Sequence, residues 1–441
     1  MSNKICCHHE DRDAYDGHTL HSFAQSIWSY DRSITGTGVR KTLRKIQEVV
    51  PNLKIFDIKS GEKAFDWTIP QEWVVREAWI KTPSGEKICE FNVCNLHLVG
   101  YSTATHCFLP LDALQNHLFS VPEQPSAVPY VTSYYEKRWG FCISDRQRQN
   151  LLPGEYEVYI DAEHFEGVLN YGEVFIPGES SDEILLSTYV CHPSMANNEI
   201  SGITVATFIS KFLNEIKNLR YSYRIVFVPE TIGAIAFINR NLNILKQRVV
   251  AGYNITCVGD DRNYSYIPSR RGNSISDKVA SHVLQNITAK PKIYSWLDRG
   301  SDERQYCAPG VDLPIGTLLR TKFGEYPEYH TSLDDLFNVV TPAGLKGGYN
   351  YVQSCITVLE NNSLPTATSL CEPQLGRRGL YPTLSTTGSA ESTKLMMDIL
   401  SYSDGQSSLL DIANMLDTEF SEVLHVANLL VDQSLLKLRR V

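Results

Sequence analysis

Hydrophobic and polar residues alternate in different ways along this chain, and each pattern predicts a different part of the fold. Between residues 21 and 50 the apolar positions recur at helical spacing, which predicts two helices around a Gly-Thr-Gly break. From residue 54 to about residue 135, short runs rich in β-branched and aromatic residues are separated by turn residues. This second stretch is predicted to be mostly β-structure.

After residue 151 the pattern changes to strands that alternate with helices, as in an α/β domain. The first predicted strand is EYEVYID, and the later runs ILLSTYV and YRIVFV are almost entirely apolar, as expected for central strands covered on both faces. We therefore predict an α/β fold with a mixed, largely parallel sheet and helices on both faces. Residues 20–66 and 151–365 are predicted to form this domain, and residues 67–150 an inserted β-rich module.

A change of composition after Asn362 marks the predicted end of the α/β domain. The next thirty residues or so contain the Pro, Gly, Ser and Thr of a linker or an irregular arm. The chain then shows three short amphipathic helices and a final strand. This order is the outline of a winged-helix domain, which we predict over residues 372–441.

Length and charge limit the classes of function. A chain of 441 residues exceeds what one hydrophobic core usually serves, so two or three domains are expected. The net charge of -9 argues against non-specific binding of a polyanion. The predicted helices of the winged-helix domain carry acidic residues and almost no Lys or Arg. Duplex DNA is therefore not an expected partner, which weighs against a transcription factor, and we expect protein contacts such as homo-oligomerisation instead.

The sequence predicts a cytoplasmic protein. The N-terminus lacks the apolar run of a signal peptide, and no stretch approaches the roughly 18 apolar residues of a membrane span. Eleven cysteines, without CxxC pairs, are typical of reduced thiols. The run Cys6-Cys7-His8-His9 could bind a metal ion adventitiously, although adjacent residues cannot all face one ion.

Polar residues suited to metal binding follow four predicted strands. They are His192, Glu230, Asp260 and His330. Ligands of open α/β sheets bind beyond the carboxyl ends of the strands, and imidazole and carboxylate are the usual nitrogen and oxygen ligands of zinc. Each residue also has an ordinary explanation, because a loop histidine often only hydrogen-bonds and an aspartate at a strand end often caps a helix. Four such residues at the ends of strands favour a metal site.

Several longer stretches of the chain resemble one protein family. They are DRSITGTGVRKTL (31–43), FDWTIPQEW (65–73), STYVCHPSMANNEISG (187–202), VPETIGAIAF (228–237), VGDDRNYSYIPSRRG (258–272), GSDERQYCAPGVDLP (300–314) and EYHTSLDD (328–335). Over about residues 20–441 the chain resembles M28-like zinc aminopeptidases of the DUF4910/DUF2172 type, with an inserted domain and a C-terminal winged helix. The resemblance implies a zinc-dependent hydrolase that acts on a small peptide or an aminoacyl conjugate.

The same resemblance implies roles for single residues. His192 matches the first metal-binding histidine of the M28 pattern, Asp260 the later aspartate and His330 the last histidine. Glu230 matches the general base. From the residues alone, however, Glu230 could equally be a metal ligand, and sequence does not separate these two roles.

Two positions depart from the M28 pattern. Asn198 stands where relatives have the aspartate that bridges two zinc ions, and Thr231 stands where the pattern has a ligand glutamate. A neutral amide binds zinc far less well than a carboxylate, and threonine is seldom a zinc ligand. We therefore expect one zinc ion rather than two. The alternative is a degenerate, non-hydrolytic binding or scaffolding protein.

Two pairs of charged residues are candidates for substrate binding. Arg270 and Arg271 could grip a carboxylate through paired hydrogen bonds, although arginines at a solvated surface are the more common case. Asp302 and Glu303 could meet a free α-amino group, or could belong only to the surface of a loop.

Overall fold

A computed structural model of the protein describes residues 15–380 and 387–440, so the Cys6-Cys7-His8-His9 run lies outside the described residues. The helices are α1 (Gly17–Trp28), α2 (Thr37–Val49), α3 (Leu111–Leu114), α4 (Asp145–Gln149), α5 (Ser201–Glu215), α6 (Ile232–Arg248), α7 (Ile275–Ile287), α8 (Glu303–Tyr306), α9 (Pro342–Asn361), α10 (Thr387–Ser401), α11 (Leu409–Met415) and α12 (Phe420–Asp432).

The strands complete the set of regular elements. They are β1 (Lys54–Lys59), β2 (Lys63–Ala64), β3 (Trp67–Thr68), β4 (Glu72–Lys81), β5 (Lys87–Ile88), β6 (Thr105–Pro110), β7 (Leu118–Phe119), β8 (Phe141–Cys142), β9 (Glu155–Phe165), β10 (Val168–Ile176), β11 (Glu183–Tyr189), β12 (Ser222–Val228), β13 (Val249–Ile255), β14 (Ser265–Ile267), β15 (Lys292–Ile293), β16 (Ile315–Leu319), β17 (Ser363–Ala367) and β18 (Leu436–Arg440).

Eight strands form the main sheet, in the order β1-β10-β12-β11-β13-β16-β14-β15. The central strands β12, β11, β13 and β16 pair in parallel with one another. Strand β10 pairs antiparallel with both β1 and β12, and β14 pairs antiparallel with β16 but parallel with β15. Every residue of β11 and β12 is buried, as expected for strands covered on both faces. The predicted mixed α/β sheet is therefore confirmed.

Helix α5 packs closely against the centre of this sheet because Gly202 lies in its first turn. A Cβ atom at Gly202 would lie 2.5 Å from the Thr188 hydroxyl oxygen and 2.6 Å from the carbonyl oxygen of Ile255. Residues of two neighbouring strands thus leave room only for glycine. This close approach fixes the start of α5, and with it the π-helical turn Ala196–Ile200 that precedes the helix.

The two helices predicted before residue 50 are α1 and α2. Asp16 caps α1, because its carboxylate accepts a hydrogen bond of 2.8 Å from the backbone nitrogen of Thr19. In α2 the buried positions include Val39, Leu43 and Ile46, which lie on one face at helical spacing. The link between α1 and α2 holds Arg32, which is almost fully buried.

A second sheet has four antiparallel strands in the order β5-β4-β9-β6. It does not extend the main sheet. Strand β9 contains the run EYEVYID, which the sequence pattern assigned to the α/β domain. In the structure β9 pairs along most of its length with β4 and β6, so the second sheet continues beyond residue 150, the predicted end of the module.

The chain divides into two compact units. One unit runs to Ser276 and resumes over Lys292–Asn350, and it contains both sheets described above. The other comprises Asp277–Pro291 and the chain from Tyr351 onward. Within the described residues, no helix is long and apolar enough to cross a membrane.

In the second unit, helices α10, α11 and α12 accompany a two-stranded antiparallel sheet of β17 and β18. Ser408 begins α11 with a reciprocal capping box to Asp411. His282 accepts a hydrogen bond of 3.0 Å from the backbone nitrogen of Phe420, at the start of α12. Because β17 begins at Ser363, this unit includes residues that the sequence pattern assigned to a linker.

A buried ion pair in the main sheet generates a first prediction. Glu183 is fully buried and binds Arg224 through two hydrogen bonds of 2.7 and 3.1 Å. Glu183→Gln should lower the free energy of unfolding by about 1–3 kcal/mol, because the buried Arg224 guanidinium then keeps only Glu173 as a counter-charge. The measurement is urea-induced unfolding. Glu48→Gln is the matched control, since Glu48 pairs with Lys45 at the surface and should change stability by less than about 0.5 kcal/mol. Equal effects of the two substitutions would contradict the prediction.

Candidate functional site

Three of the predicted side chains lie together beyond the carboxyl ends of the central strands. His192 follows β11, and its Nε2 lies 3.7 Å from Oε2 of Glu230, which follows β12. The ring centroid of His330 lies 5.6 Å from that of His192. His192, Glu230 and His330 are hereafter called the histidine cluster. Because parallel strands end at one edge of the sheet, residues distant in sequence meet there.

Glu199 holds the His192 ring from behind. Its Oε2 accepts a hydrogen bond of 2.8 Å from Nδ1 of His192. The same oxygen also accepts hydrogen bonds from the backbone nitrogens of Cys191 and His192. Its other oxygen accepts a hydrogen bond of 2.7 Å from Nε of Arg32, and both side chains of this ion pair are fully buried. A carboxylate paired with arginine has no proton to donate, so Nδ1 of His192 is the donor.

These contacts set the protonation and the orientation of His192. Burial lowers the pKa of His192, but the hydrogen bond and the charge of Glu199 outweigh this effect and raise the pKa above its ordinary value. With Nδ1 bound to Glu199, the Nε2 atom is the ring nitrogen that faces Glu230. The arrangement resembles the carboxylate that commonly orients a metal-binding histidine.

Glu230 is carried by a strained turn. The backbone nitrogen of Ile232 donates a hydrogen bond of 2.8 Å to the carbonyl oxygen of Glu230. Thr231, between them, has φ 62° and ψ -79°. This is the γ-turn with a positive central φ, which is rare and strained for a β-branched residue. Burial raises the pKa of the Glu230 carboxyl, against the opposing charges of His192 and Arg304. The turn directs the chain into α6 immediately after the carboxylate.

Two side chains from one loop stabilise this turn. Asp302 accepts a hydrogen bond of 2.8 Å from the backbone nitrogen of Thr231, and Arg304 donates 3.2 Å to the Thr231 hydroxyl. Asp302 is completely buried, and its Oδ2 has no hydrogen-bond partner among the described residues. Burial, together with the charge of Glu230, raises the pKa of Asp302 well above its ordinary value. Asp302 therefore lies next to the histidine cluster.

Glu303 has a different environment. One of its oxygens accepts hydrogen bonds from the backbone nitrogens of Gly300 and Ser301. The other accepts a hydrogen bond of 2.9 Å from the Thr317 hydroxyl. The side chain is completely buried. Glu303 thus ties its loop to β16, and these hydrogen bonds occupy the carboxylate that was a candidate for binding a substrate amine.

His330 reaches the site from a loop that the β-rich segment holds. The backbone nitrogen of Tyr130 donates 2.8 Å to the carbonyl oxygen of His330, and the Tyr130 ring lies 5.1 Å from His192 and 5.2 Å from His330. His330 has φ 57°, a left-handed conformation that needs such support. Burial and the charge of His192 lower the pKa of His330 to about 3, so its ring is neutral near pH 7.

Asp260, the fourth residue predicted to bind metal, forms hydrogen bonds with residues outside the histidine cluster. Its carboxylate accepts hydrogen bonds from the Asn197 amide, from the backbone nitrogen and hydroxyl of Thr321, and from the backbone nitrogen of Arg262. These bonds, between 2.6 and 3.0 Å, use the acceptor capacity of both oxygens. Asp260 thus joins the turn that contains Asn197 to the loop that contains Thr321.

Asn198 is buried beside His192 in the π-helical turn. Its Oδ1 lies 2.7 Å from the Tyr189 hydroxyl, while its Nδ2 has no hydrogen-bond partner among the described residues. The carboxylate of Asp334 accepts hydrogen bonds from the backbone nitrogens of Asn197 and Asn198, which stabilises the turn. An amide donor at this position offers no negative charge to a second cation.

The two candidate arginines do not share a role. Arg270 pairs with the carboxylate of Asp312, and Arg271 is exposed. Within the part of the chain that the structure describes, no hydrogen bond or ion pair joins Arg270 to the histidine cluster. The grip on a substrate carboxylate therefore stays a prediction for this pair.

Two sets of side chains could hold a metal ion. In the first set, ligand atoms of Cys191, His192 and Glu199 lie within 4.8 Å of one another. Burial raises the pKa of the Cys191 thiol well above its ordinary value, however, and Glu199 is already fully hydrogen-bonded. The second set is the histidine cluster, whose two imidazoles and one carboxylate match a common ligand set of single zinc ions. The histidine cluster therefore has the more suitable ligand chemistry, whereas among the described residues only the first set has its ligand atoms within 4.8 Å of one another.

Sequence reasoning missed three residues of the site, namely Arg32, Tyr130 and Glu199. Glu199 carried the clearest signal, since it is a carboxylate in the same loop as His192 and Asn198. Arg32 and Tyr130 are far from the other site residues in sequence, and nothing in their local pattern indicates that they reach His192 or its partners.

Comparison with known proteins agrees with this architecture. A family model described as "Domain of unknown function (DUF4910)" matches residues 21–362, and a model described as "winged helix-turn-helix" matches residues 363–438. A protein of Clostridium acetobutylicum, named "Putative polysaccharide biosynthesis protein with aminopeptidase-like domain", is 39% identical over 96% of each chain. The two family models meet after residue 362, where the composition of the sequence changes.

Solved structures give the same result. A crystal structure described as that of a putative peptidase from Clostridium acetobutylicum has a TM-score of 0.91 at 38% identity, and covers 97% of this chain and 98% of its own. A zinc aminopeptidase from Bacillus subtilis has a TM-score of 0.58 at 11% identity over 78% of this chain and 95% of its own, a likeness that shows the fold alone. The chain therefore belongs to the DUF4910 family, with an aminopeptidase-like α/β fold followed by a winged helix-turn-helix domain.

Proposed function

We propose that this protein is a metal-dependent hydrolase that cleaves an amide bond of a small peptide or an aminoacyl conjugate. The observation that carries the proposal is the convergence of His192, Glu230 and His330 at the edge of the main sheet, with Nε2 of His192 directed at Glu230. One zinc ion is the expected cofactor, held by the two imidazoles. The aminopeptidase-like fold supports the reaction class.

The chain's own residues suggest how the reaction proceeds. A bound zinc ion would polarise the substrate carbonyl and make a coordinated water more acidic. Glu230 takes one proton from the attacking water, whose oxygen adds to the carbonyl carbon. Glu230 then gives this proton to the amine nitrogen as the carbon–nitrogen bond breaks. Glu199 keeps the His192 ring oriented throughout, and Tyr130 does the same for the His330 loop.

A single ion is favoured over two because the place of the second is poor in negative charge. Two divalent ions a few ångströms apart repel each other, and a bridging carboxylate normally offsets this repulsion. Asn198 provides an amide at that place, and the oxygens of Asp260 are engaged with Asn197, Thr321 and Arg262.

A non-hydrolytic binding or scaffolding protein is the second candidate. Asn198 and Thr231 favour it, because both remove carboxylates that the M28 pattern uses. The hydrogen-bonded state of Asp260 favours it as well. The two candidates differ in metal content and turnover, which the following measurements address.

The first prediction from the proposed function concerns metal stoichiometry. Protein purified without chelator should contain about one zinc ion per chain by elemental analysis, and His192→Ala should weaken zinc binding by more than about a hundredfold because an imidazole ligand is lost. Asn198→Asp combined with Thr231→Glu should raise the content towards two ions. Two tightly bound ions in the unmodified protein would refute the single-ion site, and none would favour the binding protein.

The second prediction separates the two roles of Glu230. With aminoacyl p-nitroanilides as probes, Glu230→Gln should reduce kcat by about a hundredfold or more while zinc content stays near one, because a base is lost and the two imidazoles remain. Glu163→Gln, at the exposed Arg76 ion pair, is the control and should leave both values unchanged. Loss of zinc in Glu230→Gln would make Glu230 a ligand instead.

The third prediction concerns the winged-helix domain, for which we propose protein contacts such as homo-oligomerisation. Helices α11 and α12 contain no Lys or Arg, so the helix that would enter the major groove lacks phosphate-binding side chains. The full-length protein should show no submicromolar binding to duplex DNA in a gel-shift assay at physiological salt. Tight binding that weakens steeply with salt would contradict this expectation.

A further inference from the structure

Arg304 brings a positive charge to the side of the histidine cluster without a carboxylate paired to it. Its Nη2 donates a hydrogen bond of 3.2 Å to the Thr231 hydroxyl, and its Nε donates one of 2.9 Å to the carbonyl oxygen of Ser301. Both acceptors are neutral oxygens. Within the part of the chain that the structure describes, no ion pair joins the Arg304 guanidinium to a carboxylate.

The third nitrogen of this guanidinium group, Nη1, is open to solvent. It has no hydrogen-bond partner among the described residues, and it is not closed off from water. The Arg304 side chain as a whole is half-buried. Because the bonds of Nε and Nη2 already hold the guanidinium plane, Nη1 can donate to a bound molecule with little further loss of side-chain freedom.

The charge of Arg304 acts on groups on both sides of the site. Thr231, which accepts its hydrogen bond, directly follows Glu230 in the chain. Burial raises the pKa of Glu230 and the pKa of Tyr329, and the charge of Arg304 opposes both effects. The Tyr329 ring stacks on His330 with the ring centroids 3.9 Å apart. The guanidinium group therefore lies close to both the Glu230 turn and the His330 loop.

An arginine held in this way is suited to a carboxylate. The planar guanidinium group matches the geometry of a carboxylate, and a charge-assisted hydrogen bond is roughly twice as strong as a neutral one. Arg304 offers a single positive charge, and the nearby Glu230 repels a dianion such as phosphate more strongly than a carboxylate. A zinc ion in the histidine cluster would offset the charge of Glu230 further.

The position of Arg304 indicates which half of the substrate carries the carboxylate. In the proposed reaction Glu230 gives a proton to the amine nitrogen, so a group beside Glu230 meets the amine half of the substrate. In an α-amino acid, one carbon atom separates the amine nitrogen from the carboxylate. An amino acid that leaves as the amine therefore presents its carboxylate on the side where Arg304 lies.

We propose that Arg304 binds a free α-carboxylate of the substrate, so that the bond cleaved is an amide formed on the amine of an amino acid, as in a dipeptide or an N-acyl amino acid. The hydrolysis of such a compound rests on the proposed function, whereas the binding of its carboxylate does not. An amide whose amine half lacks a carboxylate, such as an aminoacyl p-nitroanilide, is then a poorer substrate.

The test measures dissociation constants by saturation-transfer NMR titrations with N-acetyl-L-alanine and with N-acetyl-L-alaninamide, which has a neutral amide in place of the carboxylate. The acid should bind at least about tenfold more tightly than the amide. Arg304→Gln should weaken binding of the acid by about tenfold or more and should change binding of the amide by less than about twofold. Any affinity of a metal ion for carboxylates is common to both proteins, so their difference reports Arg304.

Further variants keep the test decisive. Arg299→Gln is the matched control, because Arg299 is an exposed arginine of the same loop, and both ligands should bind to it as to the unmodified protein. If Arg304→Gln does not fold, Arg304→Lys, which keeps the charge but loses the planar donor group, should weaken binding of the acid about three- to tenfold and spare the amide.

If Arg304 only offset the charges of Glu230 and Asp302, its replacement would affect the acid and the amide equally. Equal losses of both ligands, or equal binding of both to the unmodified protein, would overturn the inference.

Hydrolysis distinguishes this inference from the proposed function. For cleavage between the two alanines, L-alanyl-L-alanine should have a kcat/KM at least about tenfold higher than L-alanyl-L-alaninamide, and Arg304→Gln should remove most of this difference through KM. Binding of the acid that depends on Arg304, without hydrolysis of either dipeptide, would support the carboxylate site and refute the proposed function.

Discussion

The buried ion pair between Arg32 and Glu199 is the interaction on which the rest of the site depends. It joins the link between α1 and α2 to the π-helical turn before α5, although the two residues are 167 positions apart. Two charges without exposure are costly unless their remaining hydrogen bonds are made. Glu199 meets this condition through the backbone of Cys191 and His192 and through the His192 ring. The hydrogen bonds that stabilise the buried pair are therefore the same bonds that orient the His192 ring.

The neighbouring positions 198 and 199 show how one loop divides charge between two tasks. The resemblance to M28 enzymes implies an acid at position 198, where this chain has an amide, while Glu199 follows it directly. The carboxylate at 199 lies behind His192, where it binds Nδ1 and Arg32. A charge at that location orients the imidazole but does not bridge two cations. This is the physical basis for expecting a single ion.

Sequence patterns were sufficient for the main sheet and for part of the site. Continuous apolar runs identified β11 and β12, and the polar residues after them identified His192 and Glu230. Local patterns do not report hydrogen bonds made by distant residues, so they did not show that Thr321 and Thr317 occupy the carboxylates of Asp260 and Glu303. They also could not assign β9, because a strand of either sheet has the same local sequence properties.

The segment that was predicted to be an inserted module is connected to the site by backbone hydrogen bonds as well as by side chains. Its Tyr130 binds the carbonyl of His330, and the backbone nitrogen of Ser332 donates 2.8 Å to the carbonyl of Val128. His330 has a positive φ, so the module stabilises a conformation that the loop alone would disfavour. A module that only covered the sheet would not need these bonds. Because the segment around Tyr130 hydrogen-bonds to the backbone of His330, it takes part in forming the histidine cluster and does more than cover the sheet.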